Sequence, residues 1–302
     1  MLKQLLYMPW WFFRARILGQ KRPLQTVLFV SNICNLRCKH CAERGHAGGI
    51  SKTYEQLKEE MLYAYGLGSR FIDFEGGEPT IWRDGSHDLN SLMALARQIG
   101  FYTCTVTTNA QLPIDNLQAD SIWVSLDGVG KYHDMIRGEG AFARLEKNIA
   151  ASGQPNLSVN MAINRLNAAS VEETIEYVAQ NPAIQQISLN FHTPYPGTEH
   201  MALPWEQRVQ IIDRIIDYKK RGYPIMNSVS GLKLMKTNDF PKECWVSNFI
   251  LADGTRLTEC AGRTAGVCDE CGFCMAGEMH SVMTLKPDTI LAGLKLRLPA
   301  KK

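Results

Sequence analysis

Three cysteines near the start of the chain have a spacing suited to chemistry. Cys34-Asn-Leu-Arg-Cys38-Lys-His-Cys41 brings its thiols together directly after an apolar, β-rich run. Three thiolates can hold three irons of a [4Fe–4S] cube, a cluster normally bound by cysteine. The fourth iron then lacks a protein ligand, and an open coordination position distinguishes a catalytic metal site from a closed structural one. Zinc is the competing reading, with His40 or a distant residue as fourth ligand, because sites of three cysteines and one histidine exist. A second motif, Phe74-Glu75-Gly76-Gly77-Glu78-Pro79, follows the next β-rich run. Paired glycines let a backbone approach a ligand closely, and a carboxylate or carbonyl beside them can accept from an ammonium. Alone, a Gly-Gly pair marks a turn. One strand–helix unit after the cysteine loop, it counts strongly against zinc.

Five more thiols, Cys244, Cys260, Cys268, Cys271 and Cys274, gather towards the other end of the sequence. The C-x2-C-x2-C run of Cys268–Cys274 has bacterial ferredoxin spacing and needs a fourth cysteine, which Cys244 or Cys260 can supply. Five thiols are enough for one cluster and too few for two, so one auxiliary [4Fe–4S] cluster is expected. Zinc stays open here, since four of these cysteines would make a closed tetrahedral site. Cys104, isolated in an apolar run, reads as a buried core thiol. Close clustering, unlike the scattered cysteines of short secreted chains, points to metal ligation in a reducing, cytoplasmic compartment. A net charge of +3 gives no reason to expect a nucleic-acid partner.

The elements that must position these groups are legible as a rhythm. β-rich runs at Thr26–Val30, Arg70–Phe74, Tyr102–Thr107, Ile122–Leu126, Leu157–Ile163 and Ile187–Phe191 alternate with helical patterns at Tyr54–Tyr65, Leu89–Ile99, Phe142–Ala151 and Val171–Ala179. A further helix covers about Trp205–Lys220. Strands apolar on nearly both faces, alternating with helices, predict a parallel sheet covered by helices. Six units are too few for a closed eight-stranded barrel, so the expected fold is α/β, a partial (β/α)6 TIM-like barrel. Its active groups should lie on loops after the strand C-termini. Beyond Gly222 the rhythm stops, which suggests three regions: an N-terminal segment 1–22, a core 23–222 and a small cysteine-rich extension 223–302 stapled by metal. The loop His192-Thr-Pro-Tyr-Pro-Gly-Thr-Glu199 follows the sixth run and reads as a proline-fixed turn at the barrel mouth.

The N-terminal segment mixes Leu5, Leu6, Met8, Trp10, Trp11, Phe12 and Phe13 with Arg14, Arg16, Lys21 and Arg22. It is too short to span a bilayer and has no small-residue cleavage site. Two readings remain, an amphipathic segment in peripheral contact with a membrane surface or a helix packed on the barrel.

On its cysteine loop and GGEP segment the sequence resembles the radical S-adenosylmethionine (SAM) superfamily, over roughly residues 25–195. The resemblance implies that Cys34, Cys38 and Cys41 hold a [4Fe–4S] cluster whose open iron is chelated by SAM. An electron from that cluster would break the C5′–S bond, giving methionine and a 5′-deoxyadenosyl radical. It implies that Gly76, Gly77, Glu78 and Pro79 bind the SAM amino group and that His40, before the third cysteine, meets adenine. Thr107-Thr108-Asn109 ends the third strand where members line the SAM pocket, which makes Asn109 a candidate. Ser125-Leu126-Asp127-Gly128, His133-Asp134 and Ile136-Arg137-Gly138 resemble a further family segment. It makes Ser125 and Asp127 candidates for the ribose and Arg137 for the SAM carboxylate, a task its planar fork suits. Asn160 and Asn190 are weaker nucleoside candidates. Cys244…Ala252-Asp253-Gly254…Cys260 resembles the start of the SPASM or twitch extensions, which carry auxiliary clusters, although five residues rather than four separate Gly254 from Cys260.

An oxidoreductase or transferase is therefore expected, with SAM and a reducing partner such as flavodoxin or ferredoxin. The substrate classes left open are a small molecule, a lipid or isoprenoid-like molecule at the membrane surface, and a peptide or protein side chain. The opposing reading, a non-catalytic iron–sulfur or zinc scaffold, predicts no 5′-deoxyadenosine.

Overall fold

A computed structural model of the protein describes residues 2–42 and 49–295, so the last residues of the expected 223–302 extension lie outside it. Helix α1 (Leu2–Arg16) precedes six strands and the helices between them. These are β1 (Gln25–Ser31), α2 (Tyr54–Leu67), β2 (Phe71–Gly76), α3 (Leu89–Ile99), β3 (Thr103–Thr108), β4 (Ser121–Ser125), α4 (Lys131–Arg137), α5 (Ala141–Ala151), β5 (Leu157–Ile163), α6 (Val171–Gln180) and β6 (Ile187–Phe191). Helices α7 (Trp205–Lys220) and α8 (Val229–Leu234) lead to β7 (Ser247–Ile250), β8 (Arg256–Leu257), α9 (Ala261–Thr264), α10 (Met275–Met283) and α11 (Pro287–Lys295).

Strands β1 to β6 lie side by side in chain order, all parallel. This is the partial TIM-like barrel expected from the sequence. The extension also joins the sheet. β7 pairs parallel with the outer edge of β1, and β8 pairs antiparallel with β7, which makes eight strands.

One expectation is corrected. β2, β3, β5 and β6 are mainly apolar on the face towards the helices, whereas β1 carries Val27 and Phe29 on its other face as well. Leu28, Val30, Ile72, Phe74, Cys104 and Val106 pack against Leu57 and Met61 of α2 and Leu92 and Met93 of α3. Ile122, Val124, Val159, Ile187 and Leu189 pack against Leu145 of α5, Ile175 of α6 and Ile211 and Ile215 of α7. The alternate residues face the concave side. Strand register aligns Asp73 with Thr105, Thr107 with Trp123, Ser125 with Asn160, and Ala162 with Asn190. A sheet that curves into an incomplete barrel encloses a lumen, and polar side chains can face it without meeting a second apolar layer. Cys104 is fully buried with its thiol directed at the Met93 carbonyl, as a core thiol should be.

Helix α1 packs on the barrel. Trp11 and Ala15 are buried against Val246 and Met283. The Tyr7 hydroxyl donates to the Gly68 carbonyl at 2.5 Å, Gln4 Nε2 to the Tyr102 carbonyl at 3.0 Å and Trp11 Nε1 to the Arg22 carbonyl at 2.8 Å. These acceptors all precede β1, β2 or β3, so α1 crosses the N-terminal ends of the strands. Among the described residues no helix is long and apolar enough to cross a membrane.

Candidate active site

The cysteine loop leaves the C-terminal end of β1 and is held there by the glycine pair after β2. Gly77 N–H donates to the Ser31 carbonyl at 2.8 Å, and Glu78 N–H donates to the Ile33 carbonyl at 2.9 Å. A Cβ on Gly76, whose φ is +137°, would stand 2.1 Å from the Ser31 oxygen, and one on Gly77 would stand 2.1 Å from the Ile33 oxygen. The close approach that the glycines permit is therefore to the chain's own cysteine loop. Glu78 is buried and its carboxylate is fully engaged. It accepts from Thr80 N–H (3.1 Å), Thr80 Oγ1 (2.6 Å), Thr108 Oγ1 (2.6 Å) and Asn109 N–H (2.7 Å). Burial raises its pKa against these donors. The side chain thus ties the GGEP turn to the end of β3, and Pro79 starts the short helical turn that Glu78 caps.

Asn109 extends this network to the thiols. Its Nδ2 donates to Asn35 Oδ1 at 2.7 Å and lies 3.8 Å from Cys34 Sγ, which also accepts from Leu36 N–H at 3.4 Å. From the other side comes Arg137 on α4. Its Nε donates to Asp127 at 2.7 Å, and its Nη1 reaches to 3.8 Å from Cys38 Sγ. Asp127 is fully buried. Burial opposes its ionisation, but Arg137, with His40, His133 and the Ala162 N–H, outweighs that and holds it at about 2. The expectation that Asp127 meets a ribose is not what this geometry favours, because its carboxylate is already spent on Arg137 and Ala162. Ser125, in register with Asn160, faces the lumen.

His40 is directed inward, with Nε2 3.7 Å from Asp127 and its ring edge-on to His192. Burial pushes it down to about 4 despite Asp127, so the imidazole is neutral. Its buried Nδ1 has no hydrogen-bond partner among the described residues. Beside it a cavity of about 480 Å³ opens between Lys39, Cys41 and Ala42 on one wall and Pro196, Gly197, Thr198 and His200 on the other. The proline-rich loop is therefore both a fixed turn and a wall. Thr198 N–H and Oγ1 donate to the Tyr195 carbonyl at 2.9 and 2.8 Å, and His192 Nε2 meets Thr198 at 3.1 Å.

The donor set fits a thiolate-bound cluster. Cys34, Cys38 and Cys41 lie close enough to repel one another's charge, and burial raises Cys38 to about 11 even with Arg137 beside it. An electropositive metal is what would draw such thiols into the thiolate form.

Sequence reasoning missed the carboxylate pair inside the barrel. Asp73 and Glu75, two residues apart on β2, share the lumen with Thr107, whose Oγ1 donates to Asp73 at 3.3 Å. Burial, and for Asp73 the neighbouring Glu75 charge, raises both pKa values. Alternation along the strand was the available signal. From the ordinary carboxylate range near ~4 up to the raised values, the folded protein keeps a proton that the unfolded chain has lost, so stability falls as pH rises through that window. Glu75→Gln removes the like charge. Its stability relative to wild type should be greater at pH 8 than at pH 5. Thermal melts of both proteins at the two pH values check this, and an equal difference at both would contradict a shared proton.

In the extension, the Cys244 thiol hydrogen-bonds to Cys260, which holds Cys260 below the ordinary thiol range and Cys244 above it, one proton serving two sulfurs. The Tyr195 hydroxyl is raised to about 12, first by burial and then by Cys260, Cys271, Cys268 and Cys244 around it. Cys274 lies fully buried in the core beside α7, and its N–H donates to Asn190 Oδ1 at 3.0 Å. Asn190 thus joins the barrel to the extension.

The profile of the radical SAM superfamily matches residues 28–178. A probable GTP 3′,8-cyclase of Saccharolobus islandicus (strain M.14.25 / Kamchatka #1) is 29% identical over 183 residues, 56% of this chain and 57% of that protein. The sporulation killing factor maturation protein SkfB of Bacillus subtilis (strain 168) is 27% identical over 249 residues, 77% of this chain and 59% of that protein. Among solved structures, SuiB of Streptococcus suis bound to S-adenosylmethionine superposes with a TM-score of 0.64 at 17% identity, covering 80% of this chain and 61% of SuiB. SuiB has also been solved bound to its precursor peptide SuiA, with a TM-score of 0.62 at 17% identity, covering 81% of this chain and 61% of SuiB. The chain therefore spans about three fifths of the length of each of these relatives.

Proposed function

The chain belongs to the radical SAM superfamily, and on that premise we propose that it cleaves SAM reductively and uses the resulting radical to modify a water-borne peptide or protein side chain. The observation that carries the first part is the seating of Cys34, Cys38 and Cys41 between Asn109 and Arg137 beside an open cavity. Cys34, Cys38 and Cys41 would hold a [4Fe–4S] cluster, which when bound would supply the electron for reductive cleavage of SAM.

The protein's own residues do the rest. Three cysteines hold the cluster, Asn109 fixes the loop at Cys34, and Arg137 presents an N–H to Cys38 while Asp127 keeps its guanidinium in place. Because the Glu78 carboxylate is occupied, the backbone of Gly76 and Gly77 is the better acceptor for the SAM amino group. His40, neutral and with a buried nitrogen unmet, is placed to receive part of the nucleoside. The Pro196–Thr198 segment forms one wall of the cavity. Reduced, iron-loaded protein given SAM should produce 5′-deoxyadenosine and methionine in equal amounts. An absence of both products would return the chain to the scaffold reading.

The peptide reading is supported by the likeness to SuiB, solved bound to the precursor peptide SuiA, and to the sporulation killing factor maturation protein SkfB. A lipid substrate is less favoured, because the segment suited to a membrane lies across the opposite end of the strands from the cavity.

Residues 223–302 are read as an auxiliary-cluster region, with Cys244, Cys260, Cys268 and Cys271 holding one [4Fe–4S] cluster. Their convergence around Tyr195 supports this set. Cys268→Ala should lower iron content by about one cluster while Cys274→Ala retains it, by anaerobic iron and sulfide counting. The reverse pattern would move the fourth ligand to Cys274.

A further inference from the structure

We infer that α1 docks the protein on the surface of an anionic lipid bilayer. Its outer face is apolar and uncovered. Leu6, Trp10, Phe13 and Ile17 are 67%, 52%, 43% and 65% exposed. Spacings of four, three and four residues put all four on one side of a helix. Ile17 belongs to that face because its N–H still donates to the Phe13 carbonyl, at 2.9 Å. The opposite side, Trp11 and Ala15, is already used against Val246 and Met283, so the barrel needs nothing from the exposed stripe.

Charge selects the occupant. The first 22 residues carry Lys3, Arg14, Arg16, Lys21 and Arg22 and no acid, while the whole chain has a net charge of only +3, so the remainder is net negative. Arg16, Lys21 and Arg22 are exposed, Lys21 with its Nζ 5.8 Å over the Trp245 ring, and Arg14 lies over the Trp10 ring at 5.9 Å. Trp10 and Phe13 stack with centroids 5.8 Å apart. Aromatic rings that seat among lipid headgroups, flanked by cations that meet anionic lipid, form the composition of a helix lying in a membrane interface.

The fold then sets an orientation. α1 crosses the N-terminal ends of β1 to β3, whereas the cysteine loop and cavity lie at their C-terminal ends. A strand of six or seven residues separates the two by ~20 Å. A docked molecule turns its cavity towards water, away from the bilayer.

Co-sedimentation of the full chain with phosphatidylcholine vesicles, plain or containing about a third phosphatidylglycerol, tests this. Binding should favour the anionic vesicles and weaken as salt rises. Trp10→Ser combined with Phe13→Ser should lower the partition about tenfold or more. Arg16→Glu combined with Lys21→Glu should lower it by at least that much, since each cation near such a surface contributes roughly fivefold. SAM cleavage in solution should be unchanged in both variants, which keeps this result separate from the catalytic reading. Three results would overturn it: wild-type protein staying in the supernatant with anionic vesicles, variants binding as well as wild type, or a wild-type dimer that Trp10→Ser/Phe13→Ser dissociates. The last would assign the face to a second copy of the chain.

Discussion

Cys38→Ala should abolish 5′-deoxyadenosine formation, to at least roughly a thousandfold below wild type, the scale seen when a member of an indispensable constellation is removed. Cys38 is the most informative of the three positions because the protein has committed most to it. It is 8% exposed, Arg137 Nη1 lies 3.8 Å from its sulfur, and burial alone would keep the thiol protonated. With only Cys34 and Cys41 left, two irons would lack a protein ligand and the cube would not assemble. Arg137 would keep its bond to Asp127, so the fold should survive the change. The contrasting variant is Cys104→Ala. That thiol is buried in the layer between sheet and helices and directed at Met93. Its loss should cost about 1 kcal/mol or a little more in stability and leave iron content and SAM cleavage intact. Product assay by chromatography, beside iron counting, reads both variants. Full turnover in Cys38→Ala would remove the basis of the proposed function.

Gly77→Ala should damage both the fold and the cysteine loop. The added methyl would stand 2.1 Å from the Ile33 oxygen and 2.4 Å from its carbonyl carbon, and the third neighbour is Asn32 backbone. No flexible side chain is there to move. Relief requires parting the GGEP turn from the cysteine loop, which breaks the N–H bonds from Gly77 to Ser31 and from Glu78 to Ile33. Overpacking and two lost buried hydrogen bonds together should cost about 3 kcal/mol or more. Iron content should drop as well, because the same two bonds hold the cysteine loop. Gly66→Ala is the control. Gly66 lies in α2, nothing stands within 4 Å of its added Cβ, and its φ is not positive. That change should stabilise by about 0.5–1 kcal/mol. Thermal melts and iron counts on both variants decide it. A Gly77→Ala protein with wild-type iron would mean that the glycine pair does not position the loop.

The sequence by itself determined whatever depends on near neighbours. Alternation of apolar strands and amphipathic helices specified six strands and the helices that follow five of them, since each pattern follows from one element's own geometry. The spacing of Cys34, Cys38 and Cys41 specified a three-thiol loop, because residues that close in the chain must be close in space. The glycines of GGEP were legible as a close approach, but not what they approach. Tertiary structure alone decided matters that need two or more strands in register. It placed Asp127 against Arg137 and Ala162 and spent a carboxylate that looked available. It surrounded Glu78 with donors from the end of β3 as well as from its own turn, and it gathered Asp73, Glu75 and Thr107 inside the lumen. It also carried β7 to the open edge of β1, where a run of four residues after a cysteine gives too weak a pattern to reveal a strand. The physical reason is the same in each case. Hydrogen bonds and ion pairs between distant segments depend on how the sheet curves and in what register its strands align, and the cooperative packing of the whole chain sets both.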